Sequence, residues 1–362
     1  MKKQYIGIMS GTSLDGVDVV LCQVDDEVCT LEFSHYLPFD EILKDEILTA
    51  INAEITLKML GTIDHKLALF FAKAVNELLE NNSISFQEVT AIGSHGQTVW
   101  HEPHGEHPFS LQLGNASVLA VETGIDVVAD FRSKDVATGG QGAPFAPAFH
   151  QFLFSNIPHC AVLNIGGMAN ISVLGKPLIG YDTGCGNVLM DMWINEHKNV
   201  AYDRDGEWAK SGIVDEKLLT NMLEDDYFRL NYPKSTGREY FNRDFLIKYI
   251  ESFATISIED VQATLLALTV HSIVNEVERF NLQKLLVCGG GTKNIFLMEQ
   301  LQEKLCTVEV LKTDTYGVCS DNMEAMIFAW LAEKRLREEQ VDLKSVTGAK
   351  NNTILGGVYA AS

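Results

Sequence analysis

The chain has 362 residues, 46% of them hydrophobic, and a formal net charge of −21 at pH 7. That length supports two domains with full cores; no apolar run is long enough to span a bilayer, and the acidic excess argues against nucleic acid or an anionic membrane as partner. Seven scattered cysteines without a C-x-x-C pair indicate neither a disulfide framework nor a zinc site, and with no apolar h-region behind Met-Lys-Lys-Gln-Tyr a reducing cytoplasm is expected.

Residues 5–9 form an apolar run that enters the polar turn 10–16, and residues 17–24 form a second apolar run that leaves it. Strand, turn and returning strand are predicted. The turn is dense in small donors and acids. Gly11 and Gly16 let the backbone bend and admit a ligand close to the amides, and Thr12 and Ser13 add hydroxyl donors. Together with Leu14, Asp15, Val17 and Asp18 they make a candidate phosphate loop. The loop is not a Walker A motif, because no GxxxxGK[ST] occurs. Without a lysine of its own it needs a metal ion, and Asp15 and Asp18 make better sense facing magnesium or its waters than a bare polyphosphate.

A third strand is predicted over 28–36, with helical segments opening at Pro38 and Asp40. Apolar residues at helical spacing predict a helix over 62–81. A short strand over 89–94 ends in His95-Gly96-Gln97-Thr98, where α/β sheets tend to bind ligands; a capped turn is the plain alternative. His101, His104 and His107 lie between prolines and a glycine, and read as solvated loop histidines rather than a metal site. A short helix over 115–121 and a strand over 127–130 complete an α/β domain with a mixed sheet.

Residues 130–144, rich in glycine, read as a long irregular loop crossing between domains and contributing to a sugar site, with Arg132 gripping a carboxylate. Residues 160–174 then repeat strand, glycine turn and strand, the turn being Gly166-Gly167-Met168-Ala169. This suggests a duplication, with two such loops facing one nucleotide. An apolar strand follows and carries Asp182 at its end, before a helix over 188–195. Asp182 is a candidate for chemistry, with helix capping as its plain alternative. Residues 201–242 are polar, aromatic and aperiodic apart from a helix near 214–223, and read as an insertion bearing substrate contacts. A long amphipathic helix over 258–280 leads to the strand 284–288 and to Gly289, Gly290 and Gly291, which clear room for a base or ribose at a helix start. Glu324 sits near the first turn of a helix over 320–337, where it also suits the helix dipole. Residues 345–349 and 354–359 are expected to return to the first domain.

The wording Gly-Ile-Met-Ser-Gly-Thr-Ser-Leu-Asp-Gly-Val-Asp and the run Gly-Gly-Gln-Gly-Ala-Pro resemble the anhydro-N-acetylmuramic acid kinases, within the sugar kinase, actin and heat-shock ATPase superfamily. The resemblance extends along essentially the whole chain. It departs at Cys185-Gly186, where a Pro-Ala or Pro-Gly pair is expected. It implies an α/β fold of two ribonuclease-H-like domains with mixed sheets around a nucleotide cleft. The domains are placed at 1–133 with the return of 343–362, and at 134–342 including the insertion 201–242. It also implies an ATP- and magnesium-dependent kinase that hydrolytically opens the anhydro ring and phosphorylates the 6-oxygen, in peptidoglycan recycling. Water must then add at C1, with Asp182 as its base and Glu324 orienting it. The nucleotide falls to the turn 11–18 and to Gly166, Gly167, Gly289, Gly290 and Gly291, and the sugar to His95, Gln97, Thr98 and Arg132. Magnesium ligands stay unassigned, and both monomer and homodimer stay open. An ordinary amino-sugar kinase of the same fold, or an actin-like nucleotide switch, is the competing reading.

Overall fold

The computed structural model describes residues 3–11, 14–253 and 255–362. The opening apolar runs form β1 (Lys3–Ser10) and β2 (Gly16–Val24), paired antiparallel from Lys3↔Val24 to Ser10↔Val17. β3 (Cys29–Pro38) continues the meander, and α1 (Glu41–Asn52) begins where the Asp40 carboxylate accepts the Leu43 N–H. α2 (Leu57–Asn81) buries Leu67, Phe71, Val75 and Leu78, one stripe at i, i+4, i+8 and i+11. It packs into one core with Ile6, Ile8, Val19 and Leu21 of the sheet. The chain goes on through β4 (Val89–Ser94), a hairpin of β5 (Gln97–Glu102) and β6 (Phe109–Leu113), α3 (Ala116–Thr123) and β7 (Val127–Ala129). α4 (Phe131–Ala137) and α5 (Ala146–Phe154) follow.

The second stretch holds β8 (Cys160–Ile165), β9 (Met168–Val173), β10 (Ile179–Cys185) and α6 (Val188–Lys198). Next come α7 (Glu207–Ser211), α8 (Glu216–Leu223), α9 (Asp226–Arg229), α10 (Arg243–Ile250) and α11 (Ile258–Val277). β11 (Lys284–Cys288), α12 (Ile295–Lys304) and β12 (Glu309–Lys312) close it. α13 (Met323–Leu336), α14 (Lys344–Thr347) and β13 (Gly357–Tyr359) belong with the first stretch again.

Two sheets share one strand plan. In the first, the order is β3-β2-β1-β4-β7, extended by β13; in the second it is β10-β9-β8-β11-β12. Each has three antiparallel strands and then two added parallel to the first of them. This bears out the expected α/β fold with mixed sheets, and the recurrence matches the expected duplication.

Contacts divide the chain into one unit running to Leu153 together with Asn322–Ser362, and a second unit, Phe154–Asp321. The family resemblance places these changes after 133 and after 342 instead. The difference follows from packing: the rings of Phe149 and Phe152 on α5 both lie 5.5 Å from Trp330 on α13, so both helices stay with the first sheet.

Three further expectations are corrected. Residues 130–144 are not one irregular loop, because Phe131–Ala137 is helical. Asp135, buried in that helix, accepts the Gly142 N–H at 2.7 Å and the Thr347 hydroxyl at 2.9 Å, and so folds the glycines around itself. Residues 201–242 hold three short helices, α7, α8 and α9, rather than the one expected near 214–223. Trp208, Leu218, Met222, Tyr227 and Phe241 from this stretch lie in the core of the second unit. The helix over 258–280 ends at Val277 and is not amphipathic, since most of its residues are buried, with α6, α7, α8, α12 and β10 packed around it.

Glycines decide how α13 lies. Gly7 on β1 and Gly93 on β4 are register partners. A Cβ on Gly7 would stand 2.0 Å from the Ala325 carbonyl oxygen, and one on Gly93 1.9 Å from that of Phe328. Both strands are therefore bare where the helix backbone touches them, which fixes the first turn of α13 against the sheet.

Candidate active site

In the first unit the turn after β1 carries the predicted phosphate loop. Thr12 and Ser13 lie outside the described residues. Leu14 is buried with a φ of 55°, an uncommon conformation for a branched side chain, and its N–H points to the Gly11 carbonyl at 3.4 Å. Leu14 and Val17 are core residues, so only their backbone is open to a ligand. Gly16 has a structural reason, because a Cβ there would meet the Leu37 carbonyl oxygen at 2.5 Å. Asp15 is exposed and Asp18 sits opposite Tyr36. Tyr36 titrates above the usual phenol range, first through partial burial and then through the charges of Asp15 and Asp18. The two carboxylates thus bear on one side of the hairpin.

Beside that turn, the Ser10 hydroxyl at the end of β1 donates to Gln97 Oε1, and the His95 N–H donates to the Ile8 carbonyl at 3.1 Å. Thr98 accepts from Gln112 at 3.2 Å on the neighbouring strand. Arg132 lies in the first turn of α4. It donates to His95 Nε2 from Nε at 3.2 Å and from a terminal nitrogen at 2.8 Å, and to the Gly142 carbonyl at 3.1 Å. Burial first, and the Arg132 charge second, hold the His95 imidazole down at about 3. It is therefore neutral and accepts through Nε2. Burial lowers the guanidinium to about 10, still charged at neutral pH. No ion pair joins Arg132 to a carboxylate among the described residues. Phe328 of α13 packs on His95 with centroids 4.8 Å apart. Glu324, exposed one turn earlier, shares that face of the helix.

In the second unit Asp182 lies on β10. Its Oδ2 accepts the Ser235 hydroxyl at 3.1 Å and the Thr236 N–H at 2.9 Å. Oδ1 accepts no hydrogen bond from the described residues, so one oxygen is held and the other is available. Burial raises the carboxyl above the usual range; the Thr236 and Ser235 donors work against this, and the charge of Glu239 adds to it. Asp182 is no helix cap, since Asn187 occupies that position of α6.

The Gly166-Gly167 turn lies against the start of α6: the Gly167 carbonyl accepts from the amides of Gly186 and Val188, and the Gly166 carbonyl from that of Asn187. A Cβ on Gly166 or Gly167 would meet nothing closer than 3.7 Å, and one on Gly290 would meet nothing within 4 Å. Gly289 and Gly291 differ. Side chains there would strike Asn164 Oδ1 at 2.3 Å and Ile165 Cγ2 at 2.4 Å. Packing explains the outer two glycines of the triplet, and nothing inside the unit explains the middle one. Gly290 opens onto a cavity of about 500 Å³ whose lining includes Asn187, Asp191, Arg204, Lys293 and Asn294. Burial raises Asp191 to about 7, offset in part by Arg238.

In the first unit Gly11, His95, Gln97 and Arg132 lie at the ends of β1 and β4, beside α13. In the second the Gly166 and Gly290 turns follow β8 and β11, while Asp182 sits in mid-strand on β10. A family model described as anhydro-N-acetylmuramic acid kinase matches residues 3–361. The chain belongs to that family. A protein of Sulfurovum sp. (strain NBC37-1) named anhydro-N-acetylmuramic acid kinase is 59% identical over 99% of both chains. One of the same name from Aliivibrio fischeri is 51% identical, covering 99% of this chain and all of the other. Among solved structures, the activator of 2-hydroxyisocaproyl-CoA dehydratase from Clostridium difficile aligns with a TM-score of 0.46 at 12% identity, covering 93% of this chain and 96% of the other. A ROK family glucokinase from Streptomyces griseus aligns at 0.43 and 13%, covering 91% and 99%.

Residues that sequence reasoning about this family chain missed are Ser235 and Thr236, which hold Asp182, and Asp191 and Arg204, which line the cavity beside Gly290. The run Lys234-Ser235-Thr236-Gly237 was legible only as part of the polar stretch 201–242, and its target 53 residues upstream was not legible at all. Among the described residues, no group of three or more His, Cys, Asp or Glu is placed to hold a metal ion, and no helix is long and apolar enough to cross a membrane.

Proposed function

We propose that the protein is an ATP-dependent kinase acting on anhydro-N-acetylmuramic acid in the cytoplasm, opening the anhydro bridge with water and phosphorylating the released 6-oxygen in cell-wall recycling. The observation that carries the catalytic part is Asp182, half-buried, with Oδ2 held by two donors and Oδ1 accepting no hydrogen bond from the described residues. In this reading Oδ1 takes a proton from water, the water oxygen bonds to C1, the C1–O6 bond breaks, and O6 bonds to the γ-phosphorus as the bond to the β,γ-bridging oxygen breaks and ADP leaves. Glu324 assists in orienting the water. Arg132, a cation whose hydrogen-bond acceptors among the described residues are a neutral imidazole and a carbonyl, takes the lactyl carboxylate, and His95, Gln97 and Thr98 offer polar contacts to the sugar.

The nucleotide is assigned to the turn from Gly11 to Asp18, to Gly166 and Gly167, and to the cavity at Gly289, Gly290 and Gly291. Asp15 and Asp18, two hard oxygen donors bearing on one side of their turn, fit magnesium held through phosphates and waters. When bound, magnesium neutralises phosphate charge.

The direct test is ADP release measured across anhydro-N-acetylmuramic acid and ordinary amino sugars. Turnover on the anhydro sugar above all others is expected. Preference for a free 6-hydroxyl would favour an ordinary amino-sugar kinase, and ATP hydrolysis indifferent to sugar an actin-like switch. A second expectation concerns Gly290. Gly290→Val should fold like the parent, because the new side chain meets open space. It should weaken ATP binding about tenfold or more, a loss of roughly 1.4 kcal/mol, by filling the cavity. Calorimetric titration of ATP checks this, and equal affinity would remove the cavity from the nucleotide site.

A further inference from the structure

The second unit buries a complete ion pair that the reading above does not use. Lys234, with its side chain 2% exposed, donates to Glu276 at 2.7 Å. Glu276, on α11, also accepts from the Tyr181 hydroxyl and from Arg279, each at 2.9 Å. Buried ion pairs give little net stability over apolar side chains of similar volume. What this pair fixes is therefore of more interest than its strength.

It fixes the two chain segments that meet at Asp182. Tyr181 precedes Asp182 on β10, and Lys234 precedes the donors Ser235 and Thr236. One carboxylate, on Glu276, ties both. The segments are stitched again by their backbones, since the Asp182 N–H donates to the Lys234 carbonyl at 3.1 Å. Tyr227 closes the frame: its hydroxyl donates to the Asp182 carbonyl at 2.8 Å, and its ring centroid lies 4.9 Å from Lys234 Nζ. Ser235 itself is exposed, so the packing around its own side chain contributes little, and this anchorage of its neighbours holds its hydroxyl over Oδ2.

Resting on the reading of Asp182 as the base, we infer that Lys234 and Glu276 are positioning residues for it: their buried pair clamps the 234–236 strap so that Ser235 and Thr236 engage Oδ2 and leave Oδ1 to the water. The charged and titratable groups around Asp182 are Lys234 and Glu239 from the strap's segment, Tyr227 from α9 and Glu276 from α11, while its register partner on β9 is the neutral Asn170. The two strap donors favour the charged carboxylate against burial and Glu239. Releasing the strap removes those donors, so the carboxyl should titrate at higher pH.

The acid limb of kcat/KM for the sugar reports the free enzyme's base, and it is measured on the full chain at saturating ATP. Lys234→Met keeps the stem's bulk and leaves Glu276 with Tyr181 and Arg279. It should move the acid limb upward by about one pH unit and lower kcat about tenfold, with KM for ATP near the parental value. Ser235→Ala, which removes one donor without disturbing the core, should move the limb the same way by less. A pair that only stabilises the fold would lower the thermal midpoint and leave the limb in place. That outcome, in folded Lys234→Met or, should that variant not fold, in Ser235→Ala, overturns the inference. Asp182→Asn run alongside separates the two ideas. If it keeps parental turnover, the base reading and the inference both fall; if it is inactive while the limb stays put, only the inference falls.

Discussion

Asp182→Asn is expected to lower turnover by about 10²–10⁴, the usual contribution of a positioned general base, or roughly 3–5 kcal/mol of barrier. Asparagine keeps the size of the side chain and one oxygen that can accept from Ser235 and Thr236, so the strap stays in place and the proton acceptor alone is lost. ATP binding should survive, because the glycine turns are untouched. In oxygen-18 water the parent should place label at C1 of the product and none in the phosphate ester, since the esterified oxygen is the old bridge. Label in the ester bridge, or an Asn variant turning over like the parent, would sink the assignment. The pH dependence has a definite sign. Burial raises the Asp182 carboxyl, so the acid limb of kcat/KM should lie above the ordinary aspartate range of about 3.9. Activity rises with pH through that limb as the carboxylate forms.

Most strands of both sheets were readable because apolar runs bounded by glycine and polar turns are a local signal; β12 was not. Asp182 stood out as an acid expected at the end of an apolar strand, whereas β10 carries it in mid-strand. The helix at Phe131–Ala137 was hidden because its stabilising contact is not local: Asp135 reaches Thr347 across 212 positions. The sequence also located α11 but missed its burial, since a helix buried on most sides shows no polar stripe. Site residues divide in the same way. Glycines were visible as a type, yet only the fold separates Gly289 and Gly291, crowded by β8, from Gly290, which faces open space. Ser235 and Thr236 were visible as polar residues, but their role depends on an ion pair between Lys234 and Glu276, 42 positions apart.

Arg132→Gln is expected to cut kcat/KM for anhydro-N-acetylmuramic acid by roughly 30-fold to several-thousand-fold, the loss of about 2–5 kcal/mol that follows truncation of one partner in a buried, hydrogen-bonded charge pair. The argument starts from an imbalance. The guanidinium is largely withdrawn from water, which pulls its pKa down to about 10, and its recorded acceptors are the His95 imidazole and the Gly142 carbonyl. Neither carries negative charge, because burial keeps His95 neutral at any pH well above 3. A half-buried cation with no anion beside it among the described residues is costly, and a ligand carboxylate arriving there regains part of that cost. The effect must therefore depend on the carboxylate. An anhydro amino sugar lacking the lactyl group should be a poor substrate for the parent and scarcely worse for Arg132→Gln. The ratio of the two substrates' kcat/KM values should be flat between about pH 6 and 9, since His95 stays neutral and Arg132 charged throughout that window. Equal losses on both sugars would show that Arg132 supports the fold at His95 and does not read the carboxylate.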